Sequence, residues 1–193
     1  MLEVSIIIVN YLKYNLTDRC IQSVIDTVKD INYEIIVVDN NSPNNSYEYL
    51  LNKYNENENI KIIKNSKNLG FGMANNIGVE NAKGNYIMLL NPDVVVLEDA
   101  IFKMYIRLAS DNNIGLIGCK LLNEDLSLQY SCRRFIKLTE FIVARTPLKK
   151  LFKKNYIDKI NQKYLMKDLN HEVENTVDWV MGSCMLSRKS DFN

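Results

Sequence analysis

Three segments bring together residue types that do chemistry. Val9-Asn10-Tyr11, Asp39-Asn40-Asn41-Ser42-Pro43 and Asn91-Pro92-Asp93 each follow a short apolar run and end it in amides, carboxylates and hydroxyls. In open α/β sheets, ligands sit outside the carboxyl ends of the strands. Asn, Asp, Ser and Pro are also turn formers, so any one segment alone reads equally well as a plain strand end. Three at one sheet edge are harder to dismiss. A fourth segment, Asn68-Leu69-Gly70-Phe71-Gly72 through Asn76-Ile77-Gly78, is a glycine-spaced entry to a helix. Glycine lets backbone N–H groups approach an anion, and a helix N-terminus favours negative charge. The other reading is a tight turn plus close helix packing. The spacing is not the dinucleotide fingerprint after a first strand, and no Gly-Lys-Ser/Thr follows, so nicotinamide and P-loop chemistry are disfavoured.

The elements that must position these residues are legible. Val4–Val9, Glu34–Val38 and Tyr86–Leu90 are rich in apolar and β-branched residues without alternation, as in a parallel sheet buried on both faces. Ile60–Ile63 is a weaker strand. Leu16, Cys20, Ile21, Val24, Ile25 and Val28 repeat at helical spacing, with Asn15 as the expected N-cap and Asp18 in the first turn. Helices are expected over 45–54, 72–81 and 98–109. Strand and helix alternate, which means right-handed βαβ units. After residue 112 the pattern changes. Ile114–Leu122, Ser127–Phe135 and Thr176–Ser187 read as strands, and 155–170 as a polar helix. The expected division is therefore 1–112 and 113–193.

The chain has 193 residues, 47% hydrophobic and 24% charged, which excludes wholesale disorder and gives one sizeable core. It has no apolar run long enough to span a bilayer and no signal-peptide pattern. Cys20, Cys119, Cys132 and Cys184 are scattered, as expected of reduced thiols rather than a disulfide framework or a zinc site. Residues 1–99 carry 8 Lys+Arg and 13 Asp+Glu, net −5, and residues 100–193 carry 16 and 10, net +6. Non-specific nucleic-acid binding by the whole surface is not expected.

Taken together, the first strand with Asn10-Tyr11, Ile36-Val37-Val38-Asp39-Asn40-Asn41-Ser42, the Asn68–Gly78 segment, Leu90-Asn91-Pro92-Asp93 and Val177-Asp178-Trp179-Val180-Met181-Gly182 resemble a family 2 inverting glycosyltransferase, its rhamnosyltransferase-like branch in particular. The resemblance covers essentially the whole chain. It implies an α/β fold of the GT-A type: a Rossmann-like mixed sheet flanked by helices, here C-terminally truncated. Residues 1–112 would form the donor-binding half and 113–193 the start of the acceptor-side half.

The roles that follow are implied by that resemblance. Val9, Asn10 and Asp39 would hold the base or ribose of a nucleotide-diphospho-sugar donor, a carboxylate accepting from a ring N–H or sugar hydroxyls. Asn41, Gly70, Asn75, Asn76 and Asn91 would line the same site. Asn91-Pro92-Asp93 stands where the family has Asp-x-Asp, so Asp93 would hold Mg²⁺ or Mn²⁺ on the diphosphate, with Asn91 in place of the first carboxylate. Asp178, Trp179 and Gly182 would border donor sugar and a saccharide or lipid-linked acceptor. The indole could stack on a sugar face, although a lone Trp in an apolar strand is more often core. Gly182 would allow close approach of a ligand or another backbone. The family's general base lies in a later acidic motif, expected beyond Asn193, so the catalytic residue is unknown here. His171, the single histidine, reads as a surface residue.

Residues 133–154 carry eight Lys/Arg and one Glu, with Phe135, Leu138, Phe141, Ile142, Leu148, Leu151 and Phe152 interleaved. This segment would dock on an anionic membrane face or cover the core as a solvated helix pair. The expected location is cytoplasmic, peripheral to the inner face of the cell membrane. Two other functions fit less well. A nucleotidyltransferase would open with a Gly-rich basic loop after the first strand, and Asn10–Asn15 has no glycine. A domain that binds a sugar nucleotide without turnover would need no base.

Overall fold

The computed structural model of the chain describes residues 2–192. Its contacts divide into two units: residues 1–119 together with 182–193, and residues 120–181. The first unit contains β1 (Val4–Asn10), α1 (Tyr14–Thr27), β2 (Tyr33–Asp39), α2 (Ser46–Tyr54), β3 (Ile60–Lys64), α3 (Gly70–Asn81), β4 (Tyr86–Leu90), α4 (Ala100–Ala109) and β5 (Leu116–Gly118). The second holds β6 (Leu121–Leu122), β7 (Leu128–Gln129), β8 (Cys132–Arg133), α5 (Leu138–Arg145), α6 (Lys154–Tyr164) and β9 (Trp179–Val180). The chain then returns to the first unit as β10 (Cys184–Arg188).

The main sheet has the order β3-β2-β1-β4-β10-β5. β1 runs parallel to β2 and β4, and β2 to β3; β10 is antiparallel to both its neighbours. All seven residues of β1 are buried, as the unbroken apolar run requires of a central strand. Ile7 and Val9 pack with Ile36, Val38 and Ala74 on the face covered by α3. Ile6 and Ile8 alternate to the opposite face and are equally buried, so both faces are covered. Gly78 makes the α3 contact possible: a Cβ there would lie 2.4 Å from Ile7 Cγ2.

Register sets the functional edge. Asn10 lies opposite Asp39, and Asp39 opposite Lys64. Cys184 lies opposite Leu90, the residue before Asn91. The polar strand ends thus share one edge of the sheet.

Several expectations need correction. The division expected at residue 112 falls at 119, and the last strand belongs to the first unit because β10 pairs between β4 and β5. Thr176–Ser187 is two strands in two sheets, β9 with β8 and β10 in the main sheet. Ile114–Leu122 and Ser127–Phe135 are likewise each split, between β5 and β6 and between β7 and β8. Helix α1 starts at Tyr14 with Lys13 in the cap position and no side-chain cap, not at Asn15. Asp18 instead bridges helices: it accepts from Lys53 Nζ at 2.7 Å and from the Tyr54 hydroxyl at 2.5 Å. Helix α4 begins at Ala100, after Asp99 in a left-handed conformation.

In the second unit, α5 and α6 pack together and Lys163 reaches Glu140 at 3.1 Å. Ile160 and Met166 are its buried apolar side chains, and a 3-10 turn spans Pro147–Leu151.

Candidate functional site

The strand ends are wired together by two side-chain networks. The first centres on Asp39, which is fully buried. Its Oδ2 accepts from Asn10 Nδ2 at 2.7 Å and from the Ser42 hydroxyl at 2.7 Å. Its Oδ1 accepts from the Ser42 backbone N–H at 2.9 Å, closing an Asx turn over the end of β2. Asn10 Oδ1 accepts from the Thr17 hydroxyl at 2.8 Å, and Ser42 Oγ accepts from the Leu12 N–H at 2.9 Å. Leu12 and Asn41 both have positive φ, 65° and 61°. The carboxylate uses three of its four acceptor positions inside the protein, leaving one on Oδ1.

The second network centres on Asn40, also buried. Its Nδ2 donates to Asn68 Oδ1 at 2.8 Å and to the Gly70 carbonyl at 3.3 Å. Its Oδ1 accepts from Asn65 Nδ2 and from the Leu69 N–H, both at 3.0 Å. Asn68 Oδ1 also accepts from the Gly70 N–H at 2.9 Å. One amide therefore saturates itself while pinning the entry to α3 against β2. Gly70 sits at φ 76° with open space where a Cβ would go, so its glycine is required by the backbone and not by crowding.

The nominated residues fall into distinct environments. Val9 and Asn10 end the central strand, buried. Asn41 is exposed at the tip of the β2 turn. Asn75 is buried and donates to the Phe71 carbonyl at 2.9 Å, so its amide serves its own helix. Asn76 is exposed. The Asn91 N–H donates to the Ser183 carbonyl at 2.9 Å, and its carbonyl accepts from the Cys20 thiol at 3.5 Å. Burial, and secondarily the Asp93 charge, push the Cys20 thiol up to about 12.

Asp93 is exposed, and its carboxylate makes no hydrogen bond or ion pair among the described residues. No group of three His, Cys, Asp or Glu that could hold a metal occurs among them. Asp93 thus offers one uncommitted carboxylate at this edge, a hard oxygen donor of the kind a divalent cation takes.

The acceptor-side nominees do not form one cluster within either unit. In the second unit, Asp178 Oδ2 accepts from the Phe135 N–H at 2.7 Å. Trp179 lies opposite Arg133 across β8–β9 and is 38% exposed, so it is not core. The Arg133 guanidinium stacks 5.8 Å from the indole and 5.5 Å from the Tyr164 ring. Gly182 belongs to the first unit; a Cβ there would meet Met185 Cε at 3.7 Å and Phe71 Cε1 at 3.9 Å. Of the two approaches expected there, that of another backbone is not seen.

Thr17, Ser42, Asn40, Asn65 and Asn68 are the positioning residues not nominated from sequence. Their signal was present only as a density of short polar side chains after strands, which turn chemistry also produces.

The sequence profile of Glycosyl transferase family 2 matches residues 5–192. The chain belongs to this family. Rhamnosyltransferase WbbL of Escherichia coli K12 is 33% identical over 132 residues, which are 64% of this chain and 45% of that protein. This family 2 chain thus spans less than half of that curated relative. Among solved structures, the mannosyltransferase PcManGT from Pyrobaculum calidifontis, in complex with GDP-Man and Mn²⁺, matches with a TM-score of 0.55 at 16% identity. The match covers 63% of this chain and 36% of that one. Staphylococcus aureus TarS 1–349 with UDP-GlcNAc matches with a TM-score of 0.54 at 18% identity, covering 72% and 38%. These likenesses show the fold: the family 2 chain has the GT-A architecture, as its mixed sheet indicated.

Proposed function

We propose that this chain is the donor-binding part of an enzyme that transfers a sugar from a nucleotide-diphosphate donor to a saccharide or lipid-linked acceptor with inversion. The observation that carries this reading is the joining of Asn10, Asp39 and Ser42 at one sheet edge, with the free carboxylate of Asp93 following β4 at the same edge. The solved neighbours hold GDP-Man with Mn²⁺ and UDP-GlcNAc, which supports a sugar nucleotide as the ligand class. The match to a rhamnosyltransferase supports dTDP-rhamnose as the first donor to test. Bacterial envelope polysaccharide is the matching product class.

In this reading the buried network does not react. It holds the β1 and β2 ends and the Leu12 turn, so that the buried Asp39 positions the exposed Asn41 and nearby backbone groups to meet the base or ribose. Asn40 fixes the α3 entry, whose N-terminus favours the negative diphosphate. Asp93 would hold Mg²⁺ or Mn²⁺, which when bound offsets the charge on the leaving diphosphate. Attack on the anomeric carbon needs a base opposite that diphosphate, and none of the residues described here is assigned to it. Trp179, partly exposed beside Arg133 in the second unit, is a candidate to stack on a sugar.

A thermal-shift panel of UDP-, GDP- and dTDP-sugars with and without Mn²⁺ tests the reading, since a ligand specific for the native state raises the melting temperature by mass action. The expected result is a shift with one nucleotide series, larger with Mn²⁺, the Mn²⁺-dependent increase being absent in Asp93→Ala. No shift with any nucleotide overturns it.

A further inference from the structure

Helix α5 has none of its residues buried. Yet its sequence has an apolar stripe at helical spacing: Leu138, Phe141 and Ile142 are 73%, 51% and 39% exposed. The 3-10 turn that follows and the residue after it continue the pattern, with Leu151 79% and Phe152 42% exposed. Such a stripe normally faces a core. Here α6 covers another side of α5, and the stripe remains in solvent.

The charges around it have one sign. Lys149, Lys150, Lys153 and Lys154 are all exposed, and none forms an ion pair among the described residues. Glu140, the single acid between residues 133 and 154, is withdrawn from the balance. Its Oε2 accepts from the Lys137 N–H at 2.9 Å, capping α5, and its Oε1 accepts from Lys163 Nζ at 3.1 Å. No helix among the described residues is long and apolar enough to cross a membrane. An exposed cluster of bulky apolar side chains beside unpaired lysines is suited to a surface that is both apolar and anionic, such as the headgroup boundary of a bilayer.

We propose that α5 and the following 3-10 turn form a docking surface for an anionic lipid bilayer, with Leu138, Phe141 and Leu151 entering the headgroup boundary and the four lysines meeting anionic lipid. A second protein copy would cover the apolar stripe equally well but would bring the same lysines face to face. The charge therefore selects lipid as the occupant. This inference does not depend on the sugar-transfer reading, because it uses none of the strand-end residues.

Co-sedimentation of the whole chain with phosphatidylcholine vesicles, with and without phosphatidylglycerol, tests it. The expected result is pelleting with the anionic vesicles only, weakening as salt is raised. Changing Lys149, Lys150, Lys153 and Lys154 to Gln should lower the partition coefficient by roughly fivefold per lysine removed. Leu138→Ser with Phe141→Ser should abolish the binding that persists at high salt. The lysines are exposed and form no ion pair among the described residues, so their variant keeps the parent's circular dichroism and carries the test if the apolar variant does not fold. Equal pelleting with neutral and anionic vesicles, or an unchanged partition in the lysine variant, overturns the proposal. Self-association abolished by the Leu138 and Phe141 changes, without vesicle binding, overturns it in favour of a second copy.

Discussion

Asn10 and Asp39 end adjacent parallel strands in register, and the amide of one donates to the carboxylate of the other at 2.7 Å inside the protein. This one bond couples the central strand to the turn after β2 and, through Thr17, to the first turns of α1. It makes the carboxylate the joint between the two strand ends.

Asp39→Ala should therefore lower both stability and donor binding. Loss of one partner from a buried hydrogen-bonded group costs about 1–3 kcal/mol, which at about 2–4 °C per kcal/mol is a drop of several degrees in melting temperature. Differential scanning fluorimetry and titration calorimetry with the nucleotide found in the panel read the two effects. An unchanged melting temperature would break the network account even if binding were lost.

Asp93→Ala should separate the same two readouts. The carboxylate is exposed and unpartnered, so stability should stay within about 0.5 kcal/mol of the parent. Mn²⁺-dependent enhancement of sugar-nucleotide binding should disappear. Persistence of that enhancement would remove Asp93 from the metal assignment.

Asn40→Ala should loosen the α3 entry without touching a ligand group. Amide hydrogen exchange at Leu69 and Gly70 should quicken, because Leu69 loses its acceptor and Asn68 loses the donor that orients it. Exchange within β2 should be unchanged.

The glycines distinguish strain from crowding. Gly70→Ala should cost about 1 kcal/mol through its positive φ alone. Gly78→Ala should cost more, because the new methyl meets Ile7 in a packed core. Ile7→Ala should offset part of the Gly78→Ala effect in a double-mutant cycle of chemical denaturation. Purely additive effects would contradict the contact.

Stability should fall on the alkaline side. The Cys20 thiol is raised to about 12 by burial and then by Asp93. The Tyr105 hydroxyl is raised to about 12 by its hydrogen bond to Glu3 and then by burial. Such groups hold their protons more tightly folded than unfolded, so the stability they contribute is present below the unfolded values near 9 and 10 and is lost as pH rises toward 12. Urea midpoints between pH 8 and 11 should decline, and Cys20→Ser should shift the onset upward. A flat profile would show that these protons are not linked to folding.

The alternation of buried apolar runs with helical spacings was enough to place β1, β2, β4 and the helices between them. Local side-chain chemistry writes such elements directly into the chain, because a strand buried on both faces must be apolar throughout. The polar clusters at Asn10, Asp39 and Asn91 were visible for the same reason, as breaks in those runs. Tertiary structure decided the rest. Thr176–Ser187 is apolar along its length, and only pairing with β4 and β5 on one side and β8 on the other divides it in two. Trp179 is exposed although a lone Trp in an apolar strand is more often core, because burial is set by what packs against a residue and not by its type. Asn40 became a hub only when the β2 turn met the Asn68 loop, 28 residues away in sequence, where each short amide could complete the other's hydrogen bonds.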